Sequence, residues 1–268
     1  MFREITLGQY YQADSLLHRL DPRVKVAGTF FYIVSLFVIR NYTGYLAAAI
    51  FLAALVALSR VPFRYILRGM RPVLFLLAVT VVFNLLLTPG THVLWKLGRL
   101  QMTLEGADLA ARMAVRLIFL ITASTVMTLT TTPNQLTDAL ESLMRPLMKL
   151  HVPVHEIAMM MSIALRFIPI LTEETDKIQK AQMARGADFE SGGLIKRVRA
   201  MAPLLVPLFV SAFRRANDLA MAMEARCYHG GEGRTKMKPL LYGRNDFLCY
   251  AALALYFAAA ILTRRAPV

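Results

Sequence analysis

The sequence predicts an all-α integral membrane protein with a bundle of about five transmembrane helices and a large cytoplasmic helical block. Hydrophobic residues make up 57% of the 268 residues, and the mean hydropathy is +0.50. Soluble domains are usually closer to half apolar. Several apolar stretches approach the roughly 20 residues that a helix needs to cross a bilayer. A long section after residue 129 instead mixes apolar helical patterns with charge.

The charge balance is strongly basic, with 31 Lys and Arg residues against 17 Asp and Glu residues and a net charge of +14. In an apolar chain such an excess indicates membrane topology rather than nucleic-acid binding, so no nucleic-acid partner is expected. Cys227 and Cys249 have neither the spacing nor the surroundings of a metal site or a disulfide framework. We expect no metal or other cofactor. Residues 1–20 contain no continuous apolar run, so no cleavable signal peptide is expected.

The transmembrane part begins at a helix start in which Asp21 can cap, Pro22 suits the first helical position and Arg23 and Lys25 lie at headgroup level. It is predicted to comprise residues 1–129 and 246–268, on either side of a cytoplasmic domain over 130–245. The predicted spans are Val24–Ile39, Tyr42–Leu58, Pro72–Leu87, Ala107–Leu129 and Phe247–Thr263.

The loop before the third span carries four arginines and no acidic residue: Arg60, Arg64, Arg68 and Arg71. By the positive-inside rule this loop is cytoplasmic, although the same cluster could also hold anionic lipid headgroups. Arg112 and Arg116 lie on one face near the outer end of the fourth span, where we expect them to snorkel or to face another helix.

Three helices are predicted in the cytoplasmic domain. An amphipathic helix covers Asn134–Leu150, with Pro133 at its start and Pro146 disturbing its end. A long helix follows over Val154–Gly186, and a second returns over Leu194–Cys227. We expect Pro203 and Pro207 to break the returning helix into a short piece and a longer rod, since proline removes a backbone donor.

The two long helices end in similar tripeptides, Ala184-Arg185-Gly186 and Ala225-Arg226-Cys227, and glycines follow each of them. Both tripeptides read as helix C-termini, where the helix dipole favours an arginine and a nearby glycine can adopt a left-handed conformation. In each helix a stripe of residues spaced by three and four ends at the arginine. The simpler interpretation is a capped helix end. The repetition favours two rods that each present a guanidinium fork to a carboxylate on a partner.

Methionines are frequent on the long helices, notably in the run Met159-Met160-Met161. Methionine suits surfaces that accept several partners, but it is also an ordinary core filler. Arg166 lies inside the apolar run Ile157–Leu171, where it could pair across a helix crossing or mark the membrane boundary.

Catalytic and ion-coupling motifs are missing from the sequence. No stretch fits the phosphate-binding loop of ATPases, because the glycines at 230, 231 and 233 precede Arg234-Thr235. The predicted spans lack the central carboxylates that ion-coupled carriers use, and no hydrolase motif appears. What remains is a protein that binds other proteins.

Several longer motifs resemble one family, the transmembrane T component of energy-coupling factor vitamin and metal transporters. The resemblance covers nearly the whole chain. It rests on Leu20-Asp21-Pro22-Arg23-Val24-Lys25, on residues 129–133 and 138–141, on residues 160–169, and on the stretches 181–187 and 222–228 that contain the two tripeptides.

This resemblance implies a cytoplasmic coupling domain of long crossed amphipathic helices in a protein of the bacterial cell membrane. Ala184, Arg185 and Gly186, and separately Ala225, Arg226 and Cys227, would each dock in a groove of one of two ABC-type ATP-binding subunits. Cys227 departs from the family pattern, which has glycine there. The long helices would also hold a separate substrate-binding S component, and we expect its contact face to consist of Met159, Met160, Met161, Ala164 and Ile168.

In this interpretation the chain has no catalytic residues and transmits motion from the ATPases to the S component. Two alternatives remain open. A self-contained permease or channel would move solute in vesicles without other subunits. A structural membrane protein whose basic block merely binds lipid would tolerate lysine in place of both arginines.

The predicted topology can be tested by thiol labelling in intact cells. Cysteine introduced at Ser191, in the cytoplasmic turn between the long helices, should resist an impermeant thiol reagent. Cysteine at Thr91, in the loop after the third span, should react. The opposite labelling pattern would mean that the true topology is the inverse of the predicted one.

Overall fold

The computed structural model describes residues 10–39, 41–88, 92–97, 100–187, 189, 193–231, 237 and 239–265. The chain divides into two compact units. The first, called the bundle unit below, comprises Gly8–Ala139 and Leu240–Val268. The second, called the rod unit, comprises Leu140–Pro239. The labelling positions Ser191 and Thr91 lie outside the described residues.

Helices dominate the described residues. In chain order the elements are α1 Leu16–Arg19, α2 Pro22–Val38, α3 Tyr42–Ser59, α4 Phe63–Leu87, β1 Val93–Leu97, β2 Leu100–Thr103, α5 Leu104–Thr130, α6 Pro133–Met144, a 3₁₀ helix Arg145–Leu150, α7 Val154–Ala184, α8 Leu194–Glu224 and α9 Arg244–Arg265.

The predicted fold class is confirmed, since five of the described helices are long and apolar enough to cross a membrane: α3, α4, α5, α7 and α9. Four of these contain predicted spans. The predicted start of the third span at Pro72 was wrong, because α4 begins nine residues earlier at Phe63, so Arg64, Arg68 and Arg71 lie on a helix and not in a loop. The predicted first span corresponds to α2, which has 17 residues and so lies at the short end of the spanning range. The fifth is α7, which the sequence assigned to the cytoplasmic domain. Its first half qualifies because Val154–Leu171 contains only two charged residues, Glu156 and Arg166.

Two further stretches differ from the sequence-based expectations. The loop after α4 contains an antiparallel hairpin in which Lys96 pairs with Gln101 and Leu97 with Leu100, and no strand was predicted there. The expected break at Pro203 and Pro207 was wrong, because α8 is continuous from Leu194 to Glu224. Each proline removes one backbone hydrogen bond, and the many remaining bonds of a 31-residue helix are enough to hold it together.

The start of α2 is built as predicted. The Asp21 side chain accepts a hydrogen bond of 2.8 Å from the backbone N–H of Arg23, and Pro22 occupies the first turn. The Arg23 guanidinium also donates to both carboxylate oxygens of Asp21, at 3.0 and 2.8 Å. A carboxylate at a helix N-terminus satisfies backbone donors and suits the positive end of the helix dipole.

Buried polar groups tie three helices of the bundle unit together at this point. The Asp246 carboxylate at the start of α9 accepts from the backbone N–H groups of Asp21, at 2.8 Å, and of Gly243, at 2.7 Å. The Lys25 ammonium donates to the carbonyl oxygen of Thr130, the last residue of α5, at 2.8 Å. Lys25, Asp21 and Asp246 are all buried. A buried charge is tolerated because hydrogen bonds satisfy it.

The apolar core of the bundle unit forms where α2, α3, α5 and α9 meet. Tyr32, Leu36, Ala48 and Tyr256 are buried in it. The Ser35 and Tyr256 hydroxyls lie 2.6 Å apart, so the polar atoms inside this core are paired. Arg116 of α5 faces another helix, which was one of its two predicted placements, and its Nη2 donates to the Tyr45 hydroxyl of α3 at 2.9 Å. Arg112 pairs with Asp108.

Candidate functional site

The rod unit is built around α7 and α8, which have 31 residues each. At 1.5 Å per residue each rod is about 46 Å long. In the chain, α6 and the 3₁₀ helix at Arg145–Leu150 precede α7. The 3₁₀ helix begins at the residue before Pro146. The predicted amphipathic helix over Asn134–Leu150 is therefore present, with its end disturbed where Pro146 indicated.

The first rod ends in a left-handed turn at Gly186, with φ of +89°. The backbone N–H of Gly186 donates to the Met183 carbonyl at 2.9 Å, and the N–H of Ala187 donates to the Gln182 carbonyl at 3.0 Å. This pair of bonds defines the Schellman motif, which satisfies carbonyls left open at a helix end. The predicted C-terminus at Ala184-Arg185-Gly186 is present.

The second rod ends in the same way although its residue in the turn is not glycine. Cys227 has φ of 55°. Its N–H donates to the Glu224 carbonyl at 2.8 Å, and the N–H of Tyr228 donates to the Met223 carbonyl at 3.1 Å. By this hydrogen-bond pattern Arg226 occupies the position that Arg185 holds in the first rod. The two tips therefore share one backbone shape.

Both tripeptides are exposed to solvent along their whole length: Ala184, Arg185 and Gly186 at the end of α7, and Ala225, Arg226 and Cys227 directly after α8. Neither arginine forms an ion pair with another residue of the described ranges. Within the described ranges each guanidinium therefore keeps its planar fork of donors without a carboxylate partner, in a geometry that suits bidentate pairing. No cluster of His, Cys, Asp and Glu that could hold a metal occurs among the residues that the structure describes.

The predicted contact face on α7 is largely exposed. The exposed fractions are 58% for Met160, 41% for Met161 and 37% for Ile168, and Ala164 is also exposed. Met159 differs from the other four because it is only partly exposed. Exposed methionines and a small alanine on one face give a surface that can adapt to an apolar partner.

A second apolar face lies on α8 and was not assigned to a partner from the sequence. Its exposed members are Leu205, Val206, Phe209, Val210 and Phe213. They recur at spacings of three and four, which places them on adjoining strips of one helix face. The apolar run from Leu204 to Phe213 is the signal that could have identified this face.

The rods are joined by the carboxylate of Glu174 on α7, which the sequence analysis also missed. Ser211 Oγ of α8 donates to Oε1 of Glu174 at 2.6 Å, and Arg215 Nη2 donates to Oε2 at 2.8 Å. The side chains are partly buried, with exposed fractions of 24% for Glu174 and 38% for Arg215. The contact is called the crossing carboxylate below.

The segment after the second tip returns to the start of α7. A Cβ atom at Gly231 would overlap Cδ2 of His155, so only glycine fits against this imidazole. The Nδ1 atom of His155 lies 2.9 Å from Oε1 of Glu141 on α6. Gly231 thus fixes the chain leaving the Arg226 tip close to the N-terminus of α7.

Comparison with known proteins gives one consistent family. The family model described as cobalt transport protein, CbiQ, matches residues 13–237. The chain is 50% identical over 262 residues to the energy-coupling factor transporter transmembrane protein EcfT of Ruminiclostridium cellulolyticum, with 98% of each chain covered. It is 44% identical over 264 residues to the protein of that name from Bacillus subtilis, covering 98% of this chain and 100% of the relative.

The left-handed turns predict different effects of alanine at two open glycines. A Cβ atom would meet nothing within 4 Å at either Gly186 or Gly28, but Gly28 lies inside α2 and not in a left-handed turn. Gly186→Ala should lower the free energy of unfolding by about 1 kcal/mol because of backbone strain alone. Gly28→Ala is the matched control and should not lower it, because alanine is the better helix former. Cys227→Gly should raise it by a similar amount, since strain is removed.

The measurement is the thermal midpoint of each purified variant in one detergent. Equal losses for Gly186→Ala and Gly28→Ala would mean that the left-handed turn is not what favours glycine at the first tip.

Proposed function

Because this chain belongs to the family of transmembrane proteins of energy-coupling factor transporters, we propose that it couples ATP hydrolysis on two partner subunits to substrate uptake. It is a multi-pass transport protein of the bacterial cell membrane. In the proposed complex the chain has no catalytic role, and ATP is hydrolysed on two ABC-type ATP-binding subunits. A separate S component captures the vitamin or metal.

The observation that carries this proposal is the equivalence of the two rod tips. Gly186 and Cys227 adopt the same left-handed turn, and each follows an exposed arginine. Two like tips suit two similar grooves, so each ATP-binding subunit would receive one tip. Arg185 and Arg226 would pair there with acidic groove residues, because a guanidinium and a carboxylate form strong charge-assisted hydrogen bonds.

The apolar faces of the rods support a second contact. Met160, Met161, Ala164 and Ile168 on α7 are exposed, as is the apolar face of α8 from Leu205 to Phe213. Exposed apolar surface of this kind fits another very apolar protein better than it fits water. The proposed occupant is the S component, which would move with the rods when the ATP-binding subunits close.

Charge supports the proposed orientation, with the tips in the cytoplasm. Arg64, Arg68 and Arg71 lie at the start of α4 and are exposed. Positive residues next to a span are retained on the cytoplasmic side, where anionic lipid headgroups also attract them. ATP is available on that side of the membrane, so the docking tips belong there as well.

Charge reversal at the tips tests the docking role. Each single Arg→Ala change at 185 or 226 should weaken docking by about 2–5 kcal/mol, because truncating one side of a buried charge pair leaves the other side unmatched. Arg185→Glu and Arg226→Glu should be worse through repulsion, and the double variant should lose the ATP-binding subunits altogether. Membrane insertion should survive, since the tips are exposed and carry little packing.

The measurement is co-purification of ATP-binding subunits from native membranes, beside cellular uptake of a panel of radiolabelled riboflavin, biotin, folate and Co²⁺. Arg214→Glu is the matched control, since this side chain is exposed on the second rod and lies twelve residues before Arg226. If the double variant retains the ATP-binding subunits and its uptake, the arginines only cap their helices and the docking role is wrong.

Crosslinking tests the second contact. A photo-crosslinking residue at Met160 should capture a small, very apolar membrane protein, because this side chain is 58% exposed on the methionine face. The same residue at Lys180, close to the first tip, is the comparison position. Mass spectrometry identifies the captured chain. If Met160 captures only ATP-binding subunits, the assignment of this face to the S component is wrong.

A further inference from the structure

We propose that the crossing carboxylate is the pivot of the rod unit: Glu174, held by Ser211 and Arg215, fixes where α7 and α8 cross and passes displacement of one tip to the other. This inference rests on the proposed function, since it assigns a role to residues that touch neither ATP nor substrate. The three are positioning residues, acting through Arg185 and Arg226.

The limited approach of the two rods indicates that they cross rather than pack side by side. The packed pair α4 and α5 is in contact over much of both helices, whereas α7 and α8, although longer, approach each other over a shorter stretch. The hydrogen bonds of Glu174 to Ser211 and Arg215 lie at this local contact.

The contact is placed symmetrically with respect to the tips. Glu174 precedes Arg185 by eleven residues, and Arg215 precedes Arg226 by eleven residues. Each distance is about 16 Å along a helix axis and about three turns, so the contact and the arginine lie on nearly the same face of each rod. Two arms of equal length from one point give both tips the same displacement for a given rotation.

The hydrogen-bond geometry resists sliding. Ser211 and Arg215 lie one turn apart on α8, and the two oxygens of one carboxylate bind one residue each. A shift of one rod along the other would break both bonds. Arg215 uses Nη2 alone, while its buried Nε has no hydrogen-bond partner among the described residues.

The same geometry leaves rotation open. A bidentate guanidinium–carboxylate fork would fix the relative orientation of the two side chains, whereas a contact through one nitrogen does not. The pair therefore holds the register of the rods and permits a change of crossing angle. That combination is what a lever needs in order to transmit movement between two docking sites.

The test uses the full transporter complex, with spin labels introduced as unnatural amino acids at Lys180 and Ala220, both exposed near the tips. Double electron–electron resonance should give one narrow distribution of label-to-label distances in the unchanged chain. Glu174→Gln or Arg215→Gln should broaden it or split it. Glu173→Gln and Arg214→Gln make the same charge changes one residue away, at exposed positions, and should leave it narrow.

Function is read beside the distance. The ATP-binding subunits should still co-purify with Glu174→Gln, because the tips are built by their own backbone hydrogen bonds. We expect the uptake of whichever panel member the unchanged transporter carries to fall about tenfold. A loss of this size lies within the range of coupling free energies between neighbouring residues. The swapped pair, Glu174→Arg with Arg215→Glu, should restore much of the narrow distance and of the uptake.

Three results would overturn the pivot: a distance that stays narrow in Glu174→Gln, a broadened distance with full uptake, or a swapped pair that restores nothing. The proposed function fails separately, through retention of the ATP-binding subunits when both tip arginines are reversed. The distance measurement still reports on the crossing in that case.

Discussion

Backbone amide and carbonyl groups have no water to bind inside a bilayer, and this constraint determines most of the structure. A helix satisfies them within its own segment, so the apolar stretches of this chain become helices whatever their side chains. Large side chains can then point outwards, as Phe75 at 80% exposed and Leu255 at 73% do. Only the helix ends keep open polar groups. In the bundle unit Asp21, Lys25 and Asp246 gather at such ends and join α2, α5 and α9.

In the rod unit the same open groups shape the surface that we assign to docking. The last carbonyls of α7 and α8 are closed by N–H groups of the residues that follow, and this folds each chain into a left-handed turn. The turn leaves the preceding arginine exposed at the end of the rod. The guanidinium is thus presented by the way in which the helix terminates.

Features set by neighbouring residues could be predicted from the sequence, and features set by distant ones could not. The Asp21 cap, the 3₁₀ ending near Pro146 and both rod tips depend on a few consecutive residues. The crossing carboxylate joins residues 37 and 41 positions apart, so it depends on how two rods meet. The prolines of α8 misled because a local rule was applied to a helix whose other hydrogen bonds outweigh it. Two roles stay predictions: the docking of the tips, and the partner contact assigned to Met159–Met161, Ala164 and Ile168.

Cys227 shows that a tip can adopt its left-handed turn without the glycine that usually occupies this position. A side chain in the left-handed region costs about 1–2 kcal/mol relative to glycine, yet Cys227 forms the same two closing hydrogen bonds as Gly186. The hydrogen bonds of the helix end therefore determine the turn, and glycine only lowers its cost. Each tip is bonded to the last turn of its own rod, so we expect it to move with that rod. In the pivot that we propose, the contact of Glu174 with α8 is where the movement of one rod reaches the other.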